Sequence, residues 1–304
     1  MGAIALLALF LQEEGPPQRH PVLEALTYLA SHQGSDGSWG GASPGCSCRH
    51  PTSGGDPEST AWAILAFAGA GYSELSQDNL NGHKFGVVVR SGLEWLVSRQ
   101  DKEGAFDRTN PAANALAALA LTETYGMTTL RKEAAEKAYS WVEKSQIKDV
   151  VGRIWQGMVF QSGKLSEIGT GHEVRVLGLA AGLAREDGDL ARWGSLLLQG
   201  FALHGRRDKP HLGIETGDVR RVPAETLNIF ASASFILGDE DPWHQWFRNL
   251  KDVLLPLQKE GARVCEFGSW DAESLRERVR TTAIRCLTLE HYRCWHCRNP
   301  FRKK

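Results

Sequence analysis

The feature that most constrains this chain is a two-part unit that recurs along it: an amphipathic helix ending in a Gln-containing turn, then a helix of small apolar residues. In HPVLEALTYLASHQGSDGSWGG, Val22, Leu23, Ala25, Leu26 and Leu29 fall at helical spacing, and Gln33, Gly34, Gly37 and Trp39 read as a stop and a turn. GVVVRSGLEWLVSRQDKEGAFD repeats the pattern, with Val89, Leu93, Trp95 and Leu96 before Gln100, and Gly104 and Phe106 in the places of Gly37 and Trp39. A looser unit carries Trp141, Gln146, Gly152 and Trp155. The last runs from Trp243 through Leu257, Gln258, Gly261, Gly268 and Trp270, and a degenerate copy is expected between Leu190 and Gly213.

A second helix follows each turn, in ESTAWAILAFAGAG, NPAANALAALALTETYG, GHEVRVLGLAAGLA, VPAETLNIFASASFILG and VRTTAIRCLTLEHY. These stretches are apolar nearly all round, so each must be buried on every side, and the amphipathic first helices must surround them. The expected fold is all-α, an α/α toroid of about five to six helical hairpins with inner and outer helix rings, because each hairpin buries its faces only against its neighbours. The domain plan is an N-terminal segment or signal remnant over 1–19, one toroid over 20–297 and a basic tail over 298–304.

The turn pattern Q-x-x-x-G-x-W or F resembles the QW repeat of the squalene cyclase and protein prenyltransferase superfamily, from about His20 to Trp295. The resemblance is strongest to small single-toroid proteins with prenyltransferase and squalene-oxidase-type repeats. It implies structural roles for Gln33, Trp39, Gln100 and Phe106, which would tie neighbouring outer helices together. It also directs attention to DPESTA, the nearest match to the D-x-D-D-T-A segment that carries the cyclase proton donor. Asp56 and Glu58 stand at its first and third positions and Ser59 where the central acid belongs, so the donor is altered. Two readings of Asp56 and Glu58 remain open here: general acids in a desolvated site, or caps at a helix start. Prenyltransferase zinc chemistry would use an Asp, a Cys and a His, and Asp271, Cys286 and His291 lie in the right region without the family's spacing.

Other polar residues fall at the expected mouths of inner helices: Asn110, Asn114, His172, Glu173, Arg175, Glu225, Asn228, Arg278 and Arg280. If they converge on one end of the ring they form a polar or anion-binding site, and otherwise they are ordinary caps and ion pairs. Glu58, Glu173 and Glu225 are also candidates for the paired carboxylates of a sugar-processing toroid.

Six cysteines are present, and two clusters invite either disulfides or zinc: Cys46, Cys48 and His50, and Cys294, His296 and Cys297. No cofactor is required by any motif, and zinc is the one candidate. The apolar run Ala3–Leu11 is too short to span a bilayer and suits a secretory h-region, so export is favoured over a cytoplasmic location, and an integral membrane protein is not expected. With 35 Lys plus Arg against 36 Asp plus Glu, no basic field points to nucleic acid. The expected function is a toroid that binds an apolar, isoprenoid-like small molecule or a protein partner. The alternatives are a divergent terpene-cyclase-type enzyme using Glu58 or Asp56, and a polysaccharide-active toroid.

Overall fold

The computed structural model describes residues 20–41, 54–165, 167–168, 172–202, 222–237, 248–261 and 265–297, with side chains left undescribed at 165, 237 and 291–297. The chain is mostly helical, in the order α1 (Pro21–Ser31), α2 (Pro57–Gly69), a two-stranded hairpin of β1 (Asn79–Leu80) and β2 (His83–Lys84), α3 (Phe85–Arg99), α4 (Pro111–Thr128), α5 (Lys132–Lys144), α6 (Val150–Leu165), α7 (His172–Leu183), α8 (Asp189–Ala202), α9 (Ala224–Leu237), α10 (described over 248–254) and α11 (Leu275–Cys297). Helices α2, α4, α6, α8, α9 and α11 each pack on the next, and α11 returns to α2, so they form a closed inner ring. The fold is an α/α toroid.

The inner helices start where the sequence stops them from starting earlier. Asp56 and Asn110 sit one residue before Pro57 and Pro111, and their side chains accept from the backbone N–H groups of Ser59 and Ala113. Proline at the first helical position has no N–H to leave unsatisfied, and the cap fills one orphan donor. Once started, α2 and α4 are buried almost throughout, from Ser59 to Ala68 and from Ala113 to Thr122.

The repeated turns lock the outer helices to one another. Gln33 Nε2 donates to the Gly37 carbonyl of its own turn and to Val88 in α3, both at 2.9 Å. Gln100 Nε2 does the same with Gly104 at 3.4 Å and Ala134 in α5 at 3.0 Å. Gln258 Nε2 donates to Gly268 at 2.8 Å and to Pro21 in α1 at 2.9 Å, which joins the last outer segment to the first. Each turn glycine has positive φ, and a Cβ on Gly37, Gly104 or Gly268 would lie 2.4, 2.2 or 2.2 Å from the backbone oxygen of Ser91, Lys137 or Glu24 in the helix it abuts. Only glycine combines that conformation with that approach.

The turn aromatics are pinned as regularly. Trp39 Nε1 donates to Leu29 O at 2.7 Å, and Trp270 Nε1 to Leu254 O at 2.9 Å. Their backbone N–H groups are taken by Thr60, one turn into α2, and by Thr282, two turns into α11, and Phe106 N–H is taken by Asn114.

Two expectations need correction. The unit around Gln146 does not form the repeat turn, because Gln146 is exposed and Gly152 and Trp155 belong to α6, which starts at Val150. Gln156, inside α6, takes over part of the missing link by donating to Val142 O at 2.9 Å and Ser145 O at 3.2 Å. The shift moves α6 into the inner ring and α7 to the outside, where Val174 is 79% exposed. The stretch 172–183, expected as an inner helix, is therefore an outer one. The degenerate copy expected from Leu190 begins inside α8, an inner-ring helix, and its remainder, 203–213, lies outside the described residues.

Candidate functional site

Two of the expected mouth residues, Glu225 and Arg280, come together with Glu58, a candidate general acid. Glu58 on the first turn of α2 pairs through Oε1 with Arg280 Nη2 of α11, and Arg280 Nη1 donates to Glu277 at 3.1 Å. Glu225, on the first turn of α9, feels the charges of both Arg280 and Glu58 and accepts a hydrogen bond from the Trp155 indole. Since α9, α11 and α2 are consecutive around the ring, Arg280 on the middle helix is bonded to Glu58 on one side and acts electrostatically on Glu225 on the other.

Trp155 comes from α6, which is separated from α2 by α4 and from α9 by α8. It nevertheless touches Glu225 of α9 and packs edge-on against Trp62 of α2, with ring centroids 5.1 Å apart at 86°. Contacts between helices that are not ring neighbours have to cross the centre. The two indoles therefore occupy the axis one turn inside the mouth, where Trp155 is 4% and Trp62 1% exposed.

Burial raises the Glu225 carboxyl above its ordinary pKa, Arg280 opposes the shift, and the negative charges of Glu58 and Asp149 add to it. Glu58 is raised for the same first reason, with Arg280 opposing and Asp56 and Glu277 adding. Desolvation penalises the charged form, and like charges at close range do so again. The cluster therefore has more carboxylates than cations to neutralise them, and it favours holding a proton.

The remaining candidates are placed elsewhere or are already committed. Asp56 accepts from Ser59 N–H at 2.8 Å and Ser59 Oγ at 2.9 Å and lies 3.4 Å from Arg276, so its carboxylate is a helix cap and a seam contact. Asn114 is fully buried, its Oδ1 accepts from Phe106 and Asp107, and its Nδ2 donates to Asp107 and Asn110, which uses every hydrogen-bonding position it has. Asn228 donates to Thr288 at 3.3 Å across the α9–α11 contact. His172, Glu173 and Arg175 lie on the outer helix α7 and do not join the mouth. There, Arg175 pairs with Glu143 and covers Phe160 in the second half of α6, and His172 Nδ1 is 3.2 Å from Tyr139 Oη.

Asp271 is an exposed partner of Lys259 and Arg278, while Cys286 is buried, with Sγ 3.1 Å from Glu290 Oε1 and 3.9 Å from Val22 O. The structure does not assemble them as zinc ligands, and among the described residues no group of three or more His, Cys, Asp or Glu is arranged to hold a metal. Cys46, Cys48 and His50, and the side chains of Cys294, His296 and Cys297, lie outside the described residues, as does 1–19. No described helix is long and apolar enough to cross a membrane.

Sequence reasoning named Glu58, Glu225 and Arg280 but missed the indoles beneath them. The sequence pattern puts Trp155 in a repeat turn and Trp62 in a generic apolar helix. The available signal was the i, i+4 spacing of Glu58 and Trp62 on a helix without a polar face.

No family model matches the sequence, and neither does any curated protein. Among solved structures, the fold is similar to one described as a novel alpha-amylase from Clostridium perfringens, with a TM-score of 0.51 and 12% identity over 90% of this chain and 97% of that one. At that identity the likeness establishes the toroid fold.

Proposed function

We propose that this toroid is a glycoside-processing enzyme whose mouth holds the acid–base pair, Glu225 as general acid and Glu58 as the carboxylate that activates water. The observation that carries the reading is the pairing of Glu58 with Arg280 beside a second buried carboxyl, Glu225, both of raised proton affinity, above a floor of two indoles. Glycoside hydrolysis requires one protonated and one ionised carboxyl flanking the scissile bond. Arg280 bonds directly to Glu58 and so favours its ionised form, which leaves the proton on Glu225. Glu225 then gives its proton to the leaving oxygen as the C–O bond breaks, while Glu58 takes one from the attacking water.

The similarity in fold to an alpha-amylase makes α-glucans the first substrates to try.

The test is release of reducing ends from soluble starch, and from a panel of other neutral polysaccharides, by the full chain and by Glu225→Gln. Loss of a general acid lowers such a rate by about 10²–10⁴-fold. No release from any polysaccharide, or equal release by Glu225→Gln, would refute the proposal.

A further inference from the structure

The mouth contains two buried donors that the fold does not use. Trp62 is 1% exposed, and among the described residues its Nε1 meets no acceptor; Arg280 Nε is likewise buried and unmatched, although its other two nitrogens are bonded to Glu58 and Glu277. Both belong to the α2–α11 wall: Trp62 lies one turn beyond Glu58 on α2, and Arg280 grips Glu58 from α11. The other inner-ring tryptophan of the cluster, Trp155, spends its N–H on Glu225. Buried N–H groups left unmatched are rare in folded proteins, and each calls for an explanation, a bound water, ion or ligand among them.

Both orphans are donors, so the missing groups are acceptors. A further carboxylate or a sulfate is disfavoured as their source, since Glu58, Glu225, Asp56 and Glu277 already place excess negative charge around the site. A neutral oxygen avoids that repulsion and still satisfies the N–H groups.

We infer that the α2–α11 wall is a donor subsite in which Trp62 Nε1 and Arg280 Nε each bind a neutral oxygen of the occupant, hydroxyl or ether oxygens of a sugar ring. The sugar assignment rests on the glycoside reading, whereas the donor subsite does not. It also gives Trp62 a function that its packing against Trp155 does not require, because packing uses the ring alone.

The decisive variant keeps the ring and removes only the N–H: the sulfur isostere β-(3-benzothienyl)alanine placed at position 62. Maltohexaose is titrated into Glu225→Gln with and without it, and ligand-free melting temperatures are compared. The expected result is binding weakened about tenfold, with the melting temperature unchanged. A melting temperature several degrees lower would show that the N–H already has a partner within the protein, and equal affinity would show that the ligand ignores it; either overturns the subsite. If maltohexaose does not bind the parent variant, the glucan assignment fails alone. The subsite is then decided by a ligand-free crystal structure, where a water oxygen within about 3.2 Å of Trp62 Nε1 upholds it and a protein acceptor there refutes it.

Discussion

Gln258 donates from Nε2 to the carbonyl of Pro21, 237 positions earlier in the chain, at 2.9 Å. Gln33 and Gln100 make the same bond to the next outer helix, so the contact that closes the ring is the ordinary repeat contact made between its two ends. Closure thus needs no special device beyond one more copy of the turn.

Replacing Gln258 with Leu should expose how much that copy contributes. The buried carbonyl of Gly268 and the part-buried one of Pro21 lose their donor, and an unmatched buried group costs about 1–3 kcal/mol. Urea denaturation should register a loss in that range. Gln146→Leu is the internal control, since Gln146 is exposed and outside any such turn, and it should stay within about 0.5 kcal/mol of the parent.

Asn114→Ala should be among the costliest single changes. It removes four hydrogen bonds at a fully buried position and frees the turn that carries Phe106, for an expected loss of about 3 kcal/mol or more by thermal or urea unfolding. Asn114→Asp should not rescue it, because the two donor bonds to Asp107 and Asn110 would be absent.

The pH dependence of stability follows from the sign of the Glu225 shift. Its folded-state pKa is raised, so its contribution is complete below the ordinary glutamate value of about 4.3 and is lost as pH rises through the folded-state pKa. Asp36, Asp101, Asp107 and Glu133 are shifted down and act in the opposite sense, so the effect is read as a difference between variants. Glu225→Gln should gain stability relative to the parent between acid and alkaline pH. Glu58 is raised as well, so Glu58→Gln should show the same trend with pH, reduced by the loss of Arg280's closest partner. Melting curves from pH 4 to pH 9, a range set to span about 4.3 on both sides, provide the check.

Activity should follow the same proton. If Glu225 is the acid, reducing-end release falls as pH rises through its pKa, and the alkaline limb disappears in Glu225→Gln along with most of the rate. An alkaline limb that persists in the variant would assign the proton to another group.

The ring was legible in the sequence because its repeat is enforced by local chemistry. Gln33, Gly37 and Trp39 recur as Gln100, Gly104 and Phe106 since only a Gln reaches both carbonyls and only glycine tolerates the approach of Ser91 or Lys137. Gln146 misled because it matches in letter alone, with no positive-φ glycine after it, and that one misreading exchanged the layers of α6 and α7. His172, Glu173 and Arg175 therefore lie on an outer helix, whereas Glu58, Glu225 and Arg280 stand on helices that the pattern and the structure both place in the inner ring. The indole floor was not legible at all: Trp155 reaches Trp62 across helices that are not neighbours, a relation set by the closed ring and by no local spacing.

The central claim is that one carboxyl at this mouth keeps its proton where ordinary glutamates have lost theirs. The direct measurement is a carbon-13 carboxyl NMR titration of glutamate-labelled protein, with Glu225→Gln and Glu58→Gln used to assign the two resonances. The account predicts that the Glu225 signal titrates above the ordinary glutamate range and that its midpoint moves when Glu58 is neutralised. A Glu225 midpoint within or below the ordinary range would contradict it.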